Sequence, residues 1–359
     1  MGMIANYQST TDTELEKFMC LDDVEEAQEN ENLEICDIDK MWDALHFLLT
    51  GKSASEPIED NLISEAIVGQ FNISGEEIFI SGTKTDRVKE IAKALNTQTD
   101  FDVQINNVCI DTRKITKGCL FICIKGERFD AHQFANEALS LGAAAVMISE
   151  DIEVNGAFVK VENTSKALLD LSAYYRSKFD IPVVALTGSV GKTTTKEFTY
   201  LVVNSEFNAI KTQGNLNNEI GLPQMLFQID NSTEAAVIEM GMNHFGEIHR
   251  LVTATKPTLA MITNIGVSHI ENLGSREGIL KSKLEILDGL EAGSPFIINV
   301  DNDMLKTILN KDEIMEKYDV ITFGIESEGA NYKAKNIKDL QEAADYFLKN
   351  CYNVGINYE

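Results

Sequence analysis

The chain has little positive charge for its size: its 359 residues carry 31 Lys and Arg against 57 Asp and Glu, a net charge of −26. So acidic a surface repels phosphodiester backbones and anionic headgroups, which disfavours nucleic acid and membrane surfaces as partners. Long apolar runs are also missing. No stretch reaches the roughly 18 residues of a membrane-spanning helix, and the opening "MGMIANYQST" has neither the basic nor the apolar segment of a secretory signal. A globular, cytoplasmic protein is the expectation. Cys20, Cys36, Cys109, Cys119, Cys123 and Cys351 form no C-x-x-C pair and lie scattered, which argues against a zinc site or a disulfide framework. Cys119 and Cys123, in "CLFICI", fall on one face of a strand and read as core thiols.

What is present suffices for two or three domains, since 44% of the residues are hydrophobic. The negative charge is uneven. Residues 1–50 carry 13 acidic residues against 2 lysines and residues 51–100 carry 9 against 5 basic ones, so the first 100 residues hold 15 of the 26 excess negatives. A run such as "DDVEEAQENENLE" reads as a solvated face. Residues 1–98 read as one acidic α+β unit with helices in "TDTELEKFMCLDDVEEA", "DIDKMWDALHFLLTG" and "TDRVKEIAKALN". Trp42, Leu45, His46 and Leu49 share one helix face, which gives His46 a packing role. From Val103 onward strands and helices alternate, in "NNVCIDTR", "GCLFICIKG", "HQFANEALSLG" and "AAAVMIS", the pattern of an α/β fold with largely parallel sheets.

The stretch "VVALTGSVGKTTTKEF" carries the chemistry. Residues 183–186 read as a buried strand, Gly188, Ser189, Val190 and Gly191 as a turn, and Lys192, Thr193 and Thr194 as the start of a helix. Such a turn traps phosphate: backbone N–H groups point at the anion, glycine allows close approach, Lys192 adds charge, and Thr193 offers a hydroxyl to Mg2+. The general G-x-x-x-x-G-K-[ST] spacing fails at Leu186, where its first glycine would stand. Downstream, "AAVIEMGMNHFGEIHRL" ends an apolar strand on Glu239, and "TLAMITNIGVSHIENLGS" ends one on Asn264 with His269 in the following loop. Strand ends of this kind face ligands in open α/β sheets. "GSREGILKSKLEILDGL" is an amphipathic helix whose Lys281 and Lys283 have solvation as their ordinary fate. "PFIINVDND" is the last clear strand, with Asn299, Asp301 and Asp303 at its tip. Bound ATP needs Mg2+, for which Thr193 and Glu239 supply a hydroxyl and a carboxylate, leaving His269 for a second cation.

Taken in order, "IDTRKITKGCLFICIKGERFDAHQF", "LTGSVGKTTTKE", "GNLNNEIGLP", "VIEMGMNHFGEI", "ITNIGVSHIENLGSREGILKSKLEIL" and "NVDND" resemble the Mur ligase family over about residues 103–325. Within it they resemble the branch of peptidoglycan precursor synthesis that joins D-Ala-D-Ala to UDP-N-acetylmuramoyl-tripeptide. The family's own phosphate loop is the compact G-x-x-G-K-T found here. The resemblance implies that ATP phosphorylates the tripeptide carboxylate and that the amine of D-Ala-D-Ala attacks the acyl phosphate. It implies a UDP-sugar-binding domain at 99–178, a central ATP-binding domain at 179–325, and a short tail at 326–359 that is a remnant of, or a replacement for, the C-terminal ligase domain. Lys192 and Thr193 fall to the phosphates and the first Mg2+, Glu239 to that Mg2+, and His269 and a carbamylated Lys283 to the second. Asn264 and Asn299 fall to adenine. Asp111, Thr112, Arg113, Lys125, Asp130 and His132 fall to the UDP-sugar, and Asn217, Asn218 and Glu219 to the acyl end of that substrate. Residues 1–98 resemble the YfbM-type domain, which has no clear function. With about 35 residues after "DVITFGI", a truncated ligase is one expectation. The alternative is a nucleotide-binding regulatory protein whose acidic N-terminal unit meets a protein partner.

Overall fold

The computed structural model describes residues 86–126 and 129–333; the helices read at 11–51 and the tail from residue 334 lie outside them. The described chain opens with β1 (Asp86–Arg87), paired antiparallel to β2 (Gln104–Ile105), and α1 (Val88–Ala94) between them. Val88, Ile91 and Ala92 form the buried stripe of α1. That stripe packs into the same core as Ile105, Leu120 and Leu168, and Lys178 pairs with Asp86. The helix that closes the acidic unit thus packs against the body that follows it.

A four-stranded parallel sheet comes next: β3 (Asn107–Cys109), β4 (Cys119–Ile122), β5 (Ala145–Ile148) and β6 (Phe158–Lys160), in that spatial order. Its central strands are apolar on both faces because both are covered. Leu120 and Ile122 face the core shared with α2 (Thr164–Arg176), while Cys119, Phe121 and Cys123 face the opposite one, where the two thiols are fully buried. Helix α2 then carries the chain across. Its Tyr175 hydroxyl donates to Ile229 O at 2.7 Å, and the buried Arg176 donates to Thr255 O and Ile181 O, each at 3.1 Å.

The larger sheet is parallel throughout, ordered β13-β12-β11-β10-β7-β9-β8. In chain order it comprises β7 (Val183–Thr187), α3 (Lys192–Glu206), β8 (Ala209–Lys211), β9 (Ala235–Glu239), α4 (Glu247–Thr255), β10 (Leu259–Ile262), α5 (Arg276–Leu284), β11 (Pro295–Asn299), β12 (Asp319–Gly324) and β13 (Tyr332–Lys333). Val183 and Ala185 face one core with α2 and α4, and Val184 and Leu186 face another with Val203 of α3. Two strands therefore follow "PFIINVDND", which corrects its reading as the last clear one. Strand β12 escaped notice because it opens on an exposed Asp319 and is fully buried only in its second half, so no continuous apolar run marks it.

This order fixes where ligands approach. From β7 the chain runs to β8 and β9 on one side and only then crosses to β10 on the other, so the C-terminal end of β7 is the switch point over which open α/β sheets bind ligands. Beyond β11, the Asp301 carboxylate gathers the loop after β12, accepting from Ile325 N at 2.6 Å, Glu326 N at 3.1 Å and Ser327 N at 2.8 Å. Although burial opposes it, these donors hold the carboxyl at about 2, below its ordinary 3.8. Its contribution is complete above the unfolded value and lost as pH falls through about 2. Asp301→Ala should cost about 2 kcal/mol in urea unfolding at pH 7 by stranding backbone donors. The gap from the parent should narrow as pH falls from 4 toward 2; a gap constant over that range would contradict the assignment.

Candidate functional site

The turn after β7 is shaped by what lies across from it. A Cβ on Gly188 would stand 1.8 Å from Thr263 Oγ1, so no larger residue fits. Gly191, with φ +81°, turns the chain into α3. The loop after β10 clamps this turn: Asn264 Oδ1 accepts from Ser189 N at 3.1 Å and Val190 N at 3.0 Å, Thr263 Oγ1 donates to Val190 O at 2.7 Å, and Gly266 N donates to Ser189 Oγ at 2.9 Å. Asn264 and Asn299, which the resemblance sends to adenine, are both buried, with side-chain oxygens engaged by backbone; Asn299 Oδ1 accepts from Asp301 N at 3.0 Å.

Basic side chains meet above this turn. Lys192 Nζ donates to Gly188 O at 3.0 Å. Burial pulls Lys192 below the ordinary lysine range, against the attraction of Glu239. Lys283, 2% exposed on α5, is pushed well below that range by burial and then by Lys192, whereas Lys281 faces solvent. His269 holds φ +64°, a left-handed conformation costing a histidine about 1 kcal/mol. Burial, then Lys283 and Lys192, lower its pKa below 6.5. Thr193 is exposed at the start of α3, beside a half-buried Thr194.

Opposite them, β9 ends on Glu239, 2% exposed. Its N–H donates to Thr212 Oγ1 at 2.9 Å, and Oε1 accepts from Asn217 Nδ2 at 2.8 Å, while Oε2 is buried with no hydrogen-bond partner. An orphaned carboxylate oxygen suits a cation, since leaving it unmade costs about 1–3 kcal/mol. No cluster of three or more His, Cys, Asp or Glu capable of holding a metal occurs among the described residues. A divalent ion here would complete its shell with phosphate oxygens and water, as Mg2+ does. Asn217 thus joins Glu239. Asn218 Oδ1 accepts from Ile220 N and Gly221 N and shapes the turn, and Glu219 pairs with Arg250 at the surface.

The residues expected at the UDP-sugar lie at the same end of the smaller sheet. Asp111 follows β3, accepts from Arg113 N at 3.0 Å, and is held below the usual carboxylate range by the Arg113 side chain; Thr112 lies between them. Lys125 pairs with Glu150 at 2.6 Å and bridges to Asp130 through the backbone. Asp130 Oδ1 lies 2.5 Å from Nδ1 of the buried His132, whose Nε2 accepts from Ser149 N at 2.9 Å. Asp130, His132 and Ser149 look like a nucleophilic triad, with Ser149 Oγ 3.3 Å from Nε2. The backbone donor already occupies the Nε2 lone pair, so the histidine is a brace and not a base.

One buried cation escaped the sequence reading. Lys196, 1% exposed on α3, lies 4.0 Å from Glu239 Oε2. Its only signal was its place four residues after Lys192, one turn along the same helix face.

Residues 186–357 match the Mur ligase middle domain, and residues 104–179 match the Mur ligase family catalytic domain. Residues 104–357 belong to the Mur ligase family. Residues 1–109 match a domain of unknown function, DUF1877. The UDP-N-acetylmuramoyl-tripeptide--D-alanyl-D-alanine ligase of Escherichia coli K12 is 38% identical over 248 residues, 69% of this chain and 54% of that protein. The enzyme of the same name from Bacillus subtilis 168 is 38% identical over 252 residues, 69% of this chain and 53% of that one. The chain spans about half the length of these relatives. MurF from Acinetobacter baumannii superimposes with a TM-score of 0.65 at 30% identity, over 71% of this chain and 56% of that one. MurF from Thermotoga maritima, solved in complex with ADP, gives 0.57 at 30% identity, over 61% and 50%. This Mur ligase portion is α/β, as the alternation of strands and helices indicated, and no described helix is long and apolar enough to cross a membrane.

Two outcomes follow from the geometry. Gly188→Ala should reduce ADP affinity by at least about tenfold in calorimetry, because the added carbon forces loop and clamp apart; unchanged affinity would contradict the close approach. The His269 imidazole, followed by NMR, should titrate below 6.5 and move upward in Lys192→Met, which removes a neighbouring positive charge. A midpoint at or above 6.5 in the parent would contradict the crowding.

Proposed function

We propose that this chain acts in an ATP-dependent amide ligation, joining D-Ala-D-Ala to UDP-N-acetylmuramoyl-tripeptide by way of an acyl phosphate. The observation that carries it is the convergence of Lys192, His269, Lys283 and Glu239 on a glycine turn at the switch point of a Mur ligase sheet. The portion 179–325 would hold the nucleotide and 99–178 the UDP-sugar, the latter through Asp111, Thr112, Arg113, Lys125 and Asp130, with the buried His132 bracing Asp130.

In this reading the N–H groups in the first turn of α3 and the Lys192 ammonium receive the β- and γ-phosphates, beside a turn whose Ser189 and Val190 N–H groups are held by Asn264. The tripeptide carboxylate oxygen attacks the γ-phosphorus as ADP leaves. The free amine of D-Ala-D-Ala then attacks the acyl carbon; phosphate leaves with the bonding pair, and the nitrogen gives up a proton. Little covalent work falls to the protein, so positioning and charge carry the rate. Glu239, with its orphaned oxygen, and the exposed Thr193 hydroxyl fit one Mg2+, and His269 with a carbamylated Lys283 would hold a second. Bound Mg2+ would neutralise charge on the transferring phosphoryl group. Burial favours the neutral amine of Lys283, the form that adds CO2 and releases a proton to give a carbamate. That addition turns a buried neutral amine into an anionic ligand. Asn264 acts by holding the loop.

The purified chain, incubated with MgATP, UDP-N-acetylmuramoyl-tripeptide and D-Ala-D-Ala, should yield a UDP-linked pentapeptide by mass. Lys192→Ala should lower the rate by about 10²-fold or more. Bound nucleotide without pentapeptide would overturn the ligase reading for this chain, and a rate unaffected by Lys192→Ala would overturn the site.

A further inference from the structure

Lys196 stands outside the roles assigned above. Its side chain is 1% exposed on a helix whose other lysine, Lys192, reaches the phosphate turn. Its ion-pair partners are Glu197 Oε1 at 3.0 Å and Glu239 Oε2 at 4.0 Å. Glu197, 42% exposed, also pairs with Lys211, whose ammonium lies 4.4 Å from the centre of the Tyr200 ring. Carboxylate and ammonium therefore alternate from the surface inward, through Lys211, Glu197 and Lys196 to Glu239. The last separation is too long for a hydrogen bond, which leaves Glu239 Oε2 attracted but unbonded.

We infer that Lys196 is a positioning residue: an internal counter-cation that balances Glu239 before a divalent ion arrives and sets how strongly that ion is held. This rests on the reading of Glu239 as a cation ligand. A buried carboxylate without a counter-charge is strongly destabilised. A partner at hydrogen-bond range would close the oxygen to a metal, whereas one at 4.0 Å supplies charge and leaves the lone pair open. Once a divalent ion binds, Lys196 becomes its like-charged neighbour and Glu197 its remaining counter-charge. The pair thus tempers the affinity for the cation while favouring the anionic nucleotide.

The two partners make opposite predictions, which a packing role does not. Mn2+ binding to the full chain with ADP, followed by electron paramagnetic resonance at low ionic strength, should tighten on the order of tenfold in Lys196→Met. ADP binding in EDTA, followed by calorimetry, should weaken in the same variant. Glu197→Gln, at an exposed position, should do the reverse: Mn2+ held about threefold more weakly and metal-free ADP held as well or better. Shifts in the same direction in both variants, or none, would overturn the inference. Should Lys196→Met fail to fold, Glu197→Gln decides alone, and unchanged Mn2+ affinity there overturns it. Parent protein that binds neither Mn2+ nor ADP would overturn the nucleotide-site reading itself. Parent protein that binds both, with variants indistinguishable from it, would overturn only the role of Lys196.

Discussion

Positive charge that cannot disperse is the constraint on which the site depends. Lys192 and Lys283 are drawn out of water beside each other and beside His269, and each loses affinity for its proton in consequence. No fold gains stability from that arrangement alone. A polyanion entering the crevice would relieve it, and so, in the proposed reading, would conversion of the Lys283 amine into a carbamate. In the proposed reading the crowding is stored preorganisation: the groups assigned to phosphate would be in place before phosphate arrives, at a cost that the surrounding core bears.

The sheet makes the arrangement possible. Parallel strands covered on both faces supply a rigid edge, and the reversal of strand order at β7 leaves a gap above it. Into that gap β7 sends the glycine turn, β9 sends Glu239, and β10 sends the loop carrying Asn264 and His269. Cross-strand contacts then fix the turn from the side: Gly188 is pressed against Thr263, and Asn264 binds two of the turn's N–H groups. The Asp301 clamp performs a similar service two strands away, holding the loop after β12 to the tip of β11. Each device is local, but all lie at the same end of the sheet.

How much of this was legible in the sequence depended on whether a feature is set by neighbours along the chain or across it. Strand β7 and its turn were readable because a fully apolar run followed by small residues, lysine and threonine has few other uses. Glu239 was readable from its place at a strand end. Strand β12 was not, since half of it is exposed and its identity comes from pairing with β11. The burial of Lys283 lies in packing that helix periodicity does not encode; only the family resemblance pointed to it. Asn264, read as the end of an apolar strand, lies two residues beyond β10, and its hold on the turn depends on two segments some 75 residues apart. Lys196 was hidden for the same reason, as a helix lysine that tertiary contacts bring against a carboxylate.

The central claim is that this charged crevice activates a carboxylate by phosphorylating it. The most direct measurement uses UDP-N-acetylmuramoyl-tripeptide labelled with 18O in its terminal carboxylate and follows the isotope into inorganic phosphate by mass spectrometry. An acyl phosphate requires one labelled oxygen to leave with each phosphate as the amide forms. Released phosphate with no label would contradict the account, because ATP would then be consumed without ever being joined to the carboxylate.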